Sequence, residues 1–96
     1  MAKGYWISNY RSVSDQAVLA KYASVAGPVI QAHGGRFLVR GTAVKAYESG
    51  ALQRVVIVEF QSVAAAIAAY ESPEYKTALA ILAGSVDRDV RIVEGA

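Results

Sequence analysis

Residues 54–60 read RVVIVEF, with valine or isoleucine at four successive positions. Neighbouring side chains of a strand point to opposite faces, so a run of β-branched residues makes both faces apolar. Such a strand belongs at the centre of a sheet covered on both sides. A chain of 96 residues buries only about 60–65% of its unfolded surface and supports one core, so residues 1–96 are expected to form a single domain. The chain can supply one cover for the central strand; the other is asked of a partner.

The flanking sequence supplies the remaining elements. Lys3 to Tyr10 is aromatic and β-branched enough to be a strand, closed by Arg11 and Ser12. Ser12 then offers an N-cap hydroxyl with Asp15 three residues on, a variant of the capping box. The helix that follows presents Val18, Tyr22, Ala26, Val29, Ile30 and His33 on one face, and Gly34-Gly35 supplies its left-handed stop. Pro28 inside it removes the amide that would bond back to Ser24, which predicts a kink. RFLVR (36–40) reads as a strand, with a bulge at Gly41 and a continuation through TAVKAY to Tyr47, before a turn at Glu48-Ser49-Gly50. After the central strand, Ser62 caps a short helix to Tyr70 with Val63, Ile67 and Tyr70 inward. The polar stretch YESPEYK (70–76) then restarts the helix: Ser72 is the N-cap, Pro73 fits the first helical position, and Glu74 suits the dipole. Tyr75, Leu79 and Leu82 fall on one face, and Asp87 to Glu94 forms the last strand.

The order is strand, helix, strand, strand, helix pair, strand. That is α+β, the ferredoxin-like βαββαβ plan: an antiparallel four-stranded sheet with helices on one face. One sheet face is left open, while the central strand is apolar on both sides, so a second sheet is expected against the first. Hydrophobic residues at 54% of the chain, high for a small monomer, agree with a homodimer packed sheet against sheet.

Several function classes fall away on composition. The net charge of +2 comes from 10 Lys and Arg against 8 Asp and Glu, scattered with no basic run to neutralise successive phosphates. An RNA-recognition module shares βαββαβ, yet it would carry base-stacking aromatics where this chain has RVVIVEF. Nucleic acid is not an expected partner. With no cysteine, disulfides, thiolate catalysis and Cys-ligated metal are removed. The N-terminus MAKGYWISNY lacks the apolar core of a signal peptide, and no apolar run reaches the ~20 residues of a membrane span. The expectation is a soluble, cytoplasmic protein that touches no membrane.

KGYWI, HGGRFLVRG, VVIVEF, YESPEYK and RIVEG, taken in that order over nearly the whole chain, resemble the domain-of-unknown-function family DUF1330. The resemblance implies the dimeric α/β-barrel superfamily, in which two ferredoxin-like protomers pack sheet against sheet. Better-understood members of that superfamily include cofactor-poor monooxygenases, haem-degrading enzymes and small isomerases of aromatic breakdown. Two positions depart from the family pattern. Ala69 stands where many relatives have Trp, and Leu82 where many have Arg, which implies a larger and more apolar cavity if those side chains line one.

The candidate functional residues each carry a competing structural reading. His33 is the one imidazole suited to acid–base work near neutrality, but it also sits at a helix C-terminus where a ring can simply pack. Arg40 and Glu59 lie on largely apolar strands and need partners. Either they pair with each other, or they face a polar cavity in which Arg40 holds an anion. Tyr5, Trp6, Tyr22, Tyr70 and Tyr75 either line an aromatic pocket whose hydroxyls orient a planar ligand or pack the core. Ser72 is a cap, since no G-x-S-x-G surrounds it, and Gly34-Gly35 lacks the dinucleotide arrangement. A lone histidine builds no ordinary metal site, and no cofactor motif is present.

Together these readings predict a homodimer with a small-molecule pocket between sheet and helices. The chemistry would be that of a cofactor-independent monooxygenase or isomerase acting on a small aromatic or acidic compound. The alternative is a non-catalytic ligand-binding or stress-related accessory protein, favoured by the scarcity of acid–base residues.

Overall fold

Strand alternation divides the sheet into two unlike faces. In the computed structural model, which describes residues 2–96, the chain forms β1 (Gly4–Val13), α1 (Gln16–Ala32), β2 (Arg36–Thr42), β3 (Arg54–Phe60), α2 (Val63–Glu71), α3 (Pro73–Leu82) and β4 (Val86–Glu94). The strands pair antiparallel in the order β2-β3-β1-β4, the ferredoxin-like fold. Trp6, Ser8 and Tyr10 of β1 and Val56, Val58 and Phe60 of β3 point to the helices and are buried. They meet Leu19, Tyr22, Ala26 and Ile30 of α1, Ala66 and Ala69 of α2, and Tyr75, Ala78 and Leu82 of α3. Trp6 is the centre of this core, its ring edge-on to Tyr75 at 4.9 Å and its Nε1 donating to Ser8 Oγ at 2.9 Å.

On the other face the register pairs Tyr5 with Glu59, Ile7 with Ile57 and Asn9 with Val55. Val39 and Val93 stay 43% and 46% exposed there, and no helix packs on it. The short axis of 16 Å is the depth of one sheet and one helix layer. So β3, predicted to be covered on both sides, receives one cover from its own chain.

Several local expectations need correction. β1 runs on to Val13, so Asp15, not Ser12, caps α1, accepting from the amides of Ala17 and Val18 at 3.0 and 3.2 Å. Leu19 replaces Val18 on the buried face of α1, and the helix continues through Pro28 to Ala32, where Gly34 at φ +88° turns the chain. β2 ends at Thr42 instead of Tyr47, and its bulge falls between Phe37 and Val39, not at Gly41. α2 buries Ala66 and Ala69 and leaves Ile67 40% exposed. Ser72 caps α3 as expected, accepting from the Tyr75 amide at 3.1 Å.

The start of α2 is seated closely on β1. A Cβ on Gly4 would lie 2.5 Å from the carbonyl oxygen of Ser62 and 2.6 Å from the Val63 amide nitrogen, so the strand has no room for a side chain at this point. Because the obstacle is backbone, relaxation must move the start of α2. Gly4→Ala is expected to lower stability by about 1–3 kcal/mol, read as a fall in the urea midpoint. An unchanged midpoint would show that α2 is not seated on the strand in this way.

Candidate functional site

β4 contributes the polar centre of the helix-facing side. Its inward positions alternate as Arg88, Val90 and Ile92, registered opposite Tyr10, Ser8 and Trp6, so strand periodicity drives a guanidinium under the helices. There Arg88 donates from Nη1 to the hydroxyls of Tyr10 (3.1 Å) and Tyr22 (3.4 Å) and from Nη2 to that of Tyr75 (2.9 Å). The Tyr22 and Tyr75 hydroxyls share a hydrogen bond of 2.6 Å. No carboxylate pairs with Arg88 among the described residues.

This arrangement fixes protonation. Burial pushes the Tyr75 phenol far above its usual range, and the neighbouring Tyr22 adds to the effect. Burial likewise raises Tyr22, although Arg88 works against it. For Arg88, burial acts to lower the pKa, but the oxygens of Tyr22, Tyr75 and Tyr10 outweigh it and the net shift is upward. The cluster is one cation with neutral phenols. Three hydrogen bonds to hydroxyls use three of the five guanidinium N–H groups, which leaves donors for a carboxylate.

Arg88 lines a cleft of about 730 Å³ between α2, α3 and β4. Its lining is largely aliphatic, from Ile67, Leu79, Leu82, Val86, Val90 and Ile92, and also includes Tyr70 and the two carboxylate residues Glu71 and Asp87. Leu82 lines the cleft, whereas Ala69 is fully buried and does not. The volume lies within the usual range for small-molecule sites.

The sequence-based candidates separate into groups. Tyr22, Tyr70 and Tyr75 come together, with Tyr70 and Tyr75 ring centroids 5.0 Å apart. Tyr5 lies on the open sheet face, where its hydroxyl donates to Glu59 at 3.0 Å. Arg40 and Glu59 do not pair: Glu59 meets Arg36 at 3.6 Å on the open face, whereas Arg40 lies on the helix-facing side, 4.6 Å over the Phe37 ring. His33 caps the C-terminus of α1 and approaches Glu74 at 4.0 Å beside a separate shallow pocket. Arg88, Tyr10 and Arg54, which sequence reasoning passed over, occupy the helix-facing side. The available signal was the alternation of DRDVRIV, which sets Arg88 in phase with Val90 and Ile92. Among the described residues, no three His, Asp or Glu side chains are grouped to hold a metal ion, and no helix is long and apolar enough to cross a membrane.

Residues 3–96 match the model of DUF1330, a domain of unknown function. The chain belongs to this family. No curated protein matches its sequence at a significant level. Among solved structures, a protein of unknown function from Rhodopseudomonas palustris superposes with a TM-score of 0.76 at 19% identity, covering 99% of this chain and 83% of that one. A dimeric ferredoxin-like protein of unknown function from Thermobifida fusca gives 0.62 at 16%, covering 99% and 91%. A Caulobacter crescentus protein, provisionally described as an antibiotic biosynthesis monooxygenase, gives 0.61 at 16%, covering 99% and 90%. At these identities the likeness is one of fold.

The upward shifts of Tyr22 and Tyr75 make stability fall in alkali. Both phenols stay protonated in the folded chain while those of the unfolded chain ionise near pH 10. Their contribution is complete below that pH and is lost as pH rises toward the folded values, at about 1.4 kcal/mol per tyrosine for each unit. Urea midpoints from pH 9 to 11 should therefore drop, and Tyr75→Phe should show a shallower slope than the native chain. Equal slopes in the two proteins would mean that Tyr75 ionises freely when folded.

Proposed function

We propose that this chain is a single-domain, homodimeric binder of small organic acids, with the ligand's apolar body in the cleft between α2, α3 and β4 and its carboxylate on Arg88. The observation that carries the reading is Arg88 lining the cleft as a cation whose side-chain hydrogen bonds go to hydroxyls and not to carboxylates. An arginine neutralised by aspartate or glutamate would repel a second carboxylate; one held by tyrosines keeps its charge for the ligand. A ring or short branched chain matches the aliphatic walls.

A catalytic reading has one support, the monooxygenase description of the Caulobacter crescentus neighbour. A site of this kind would serve such chemistry by stabilising an oxyanion that develops on the substrate, since its phenols are held protonated and Arg88 remains a cation. It has no base poised near neutrality. His33, the residue with the right intrinsic pKa, belongs to a different pocket. Binding is therefore the primary reading and turnover the second.

The homodimer rests on the open sheet face, where Ile7, Val39, Val55, Ile57 and Val93 are exposed or half-exposed, and on the dimeric Thermobifida fusca neighbour. Burying this patch against a second copy would cover β3 on its other side. Sedimentation velocity at micromolar concentration is expected to give a dimer; a stable monomer would remove this part of the proposal.

For the cleft, phenylacetate is a suitable calorimetric probe. Arg88→Lys, which keeps the charge but loses the fork, is expected to weaken binding at least tenfold, with circular dichroism and dimer mass unchanged. Tyr75→Phe should weaken it less. Equal phenylacetate affinity in the native chain and in Arg88→Lys, or no binding by the native chain across aromatic and aliphatic monocarboxylates, would overturn the reading.

A further inference from the structure

The six arginines divide by sheet face in a way the cleft does not explain. Arg11, Arg36 and Arg91 each lie within 4.0 Å of a carboxylate: Arg11 of Asp87 and Asp89, Arg36 of Glu59, and Arg91 of Asp89. Arg40, Arg54 and Arg88 have no carboxylate partner among the described residues. All three of these line one small cavity beneath α1, on the far side of Arg88 from the cleft, with the hydroxyls of Ser8, Tyr10 and Tyr22. No aspartate or glutamate lines it.

Arg54 is the most exacting member. It stands next to the β2–β3 loop at the first position of β3, paired with Thr42, and its Nε is buried with no hydrogen-bond partner among the described residues. A buried, unsatisfied donor of a charged group is costly, and three like charges around one space add repulsion. Packing alone gives no reason to gather them there. Replacement of Arg54 by an apolar side chain of similar length would relieve both costs.

We propose that this cavity is a carboxylate-binding subsite, separate from the cleft, in which Arg54 and Arg40 hold the two oxygens and Arg88 adds charge from behind. The cavity is small, about 30 Å³, and its three arginines suit the planar oxygens of a carboxylate. Arg40 is exposed, so the cavity reaches solvent on its side and a longer acid can leave its tail outside. The carboxylate comes either from a free small acid such as formate or from the head of a larger one. This subsite does not depend on the cleft reading.

The test uses the full-length protein in zwitterionic buffer of low ionic strength. Urea midpoints are measured with sodium formate, with sodium butyrate and with sodium chloride at equal ionic strength, and formate is also titrated in saturating phenylacetate. Formate is expected to raise the midpoint beyond chloride, and phenylacetate to leave that response in place. Arg54→Met, measured without added anion, should unfold at the same or higher urea than the native chain, and its apparent formate affinity should fall at least tenfold. Arg40→Met should lose less. Stronger binding of butyrate than formate assigns the subsite to the head of a larger acid; the reverse order assigns it to a free small anion. The proposal is overturned if formate acts no differently from chloride, if its effect survives in Arg54→Met, or if Arg54→Met without anion is less stable than the native chain, which would make Arg54 a structural residue. Failure of phenylacetate to bind would count against the cleft and leave the formate result to be judged by itself.

Discussion

Arg88 joins four elements through one guanidinium: it leaves β4 and reaches hydroxyls on β1, α1 and α3. Buried arginines are usually balanced by carboxylates, whose Coulombic attraction offsets part of the desolvation cost. Here tyrosine oxygens satisfy the donors while leaving the charge uncancelled. The aromatic core makes that possible, because Trp6 holds Tyr75 edge-on and Tyr75 in turn meets Tyr22 at 6.2 Å. The hydroxyls are thus positioned by ring packing before the arginine is considered. A site of this kind is rigid, cationic and supplied with donors.

The bulge at Leu38 matters nearly as much. Arg36 pairs with Glu59 on the open face. Strict alternation from there would carry Arg40 to the same face, near the carboxylate with which sequence reasoning matched it. The extra residue between Phe37 and Val39 shifts the phase, so that Val39 meets Ile57 on the open face and Arg40 meets Val56 on the helix side. One inserted residue therefore moves a charge from an ion-paired surface to the cavity beneath α1. The same shift adds Val39 to the apolar patch of the open face.

Much of this was legible from local chemistry. The topology followed from RVVIVEF and the spacing of helix signals, and YESPEYK marked the helix restart because Ser72 and Pro73 act through groups within a few residues of themselves. What escaped was set by contacts distant in sequence. The inward face of α2 could not be read from VAAAIAAY, where alanines surround Ile67, because packing against elements distant in sequence decides which side is buried. The bulge has no composition signal in RFLVRG beyond a glycine that turned out to be its neighbour. Tyr22 and Tyr75 were visible as aromatic candidates, but they act through Arg88, 66 and 13 residues away. The alternation of β4 was the missed clue.

The protonation state of the cluster limits how it can discriminate. Its phenols are held protonated and its guanidinium charged, so the Arg88 anchor presents the same donors throughout the neutral range. On the proposed reading, selection by charge comes from the ligand: an acid would be bound in its ionised form, and an ester or amide of the same shape would leave Arg88 without an anion. Shape and hydrophobic area set how tightly an acid is held, whereas the charge on Arg88 sets whether an acid is required at all. These two controls are physically separate. A change in the walls would, on that reading, alter which acid fits without altering the preference for acids.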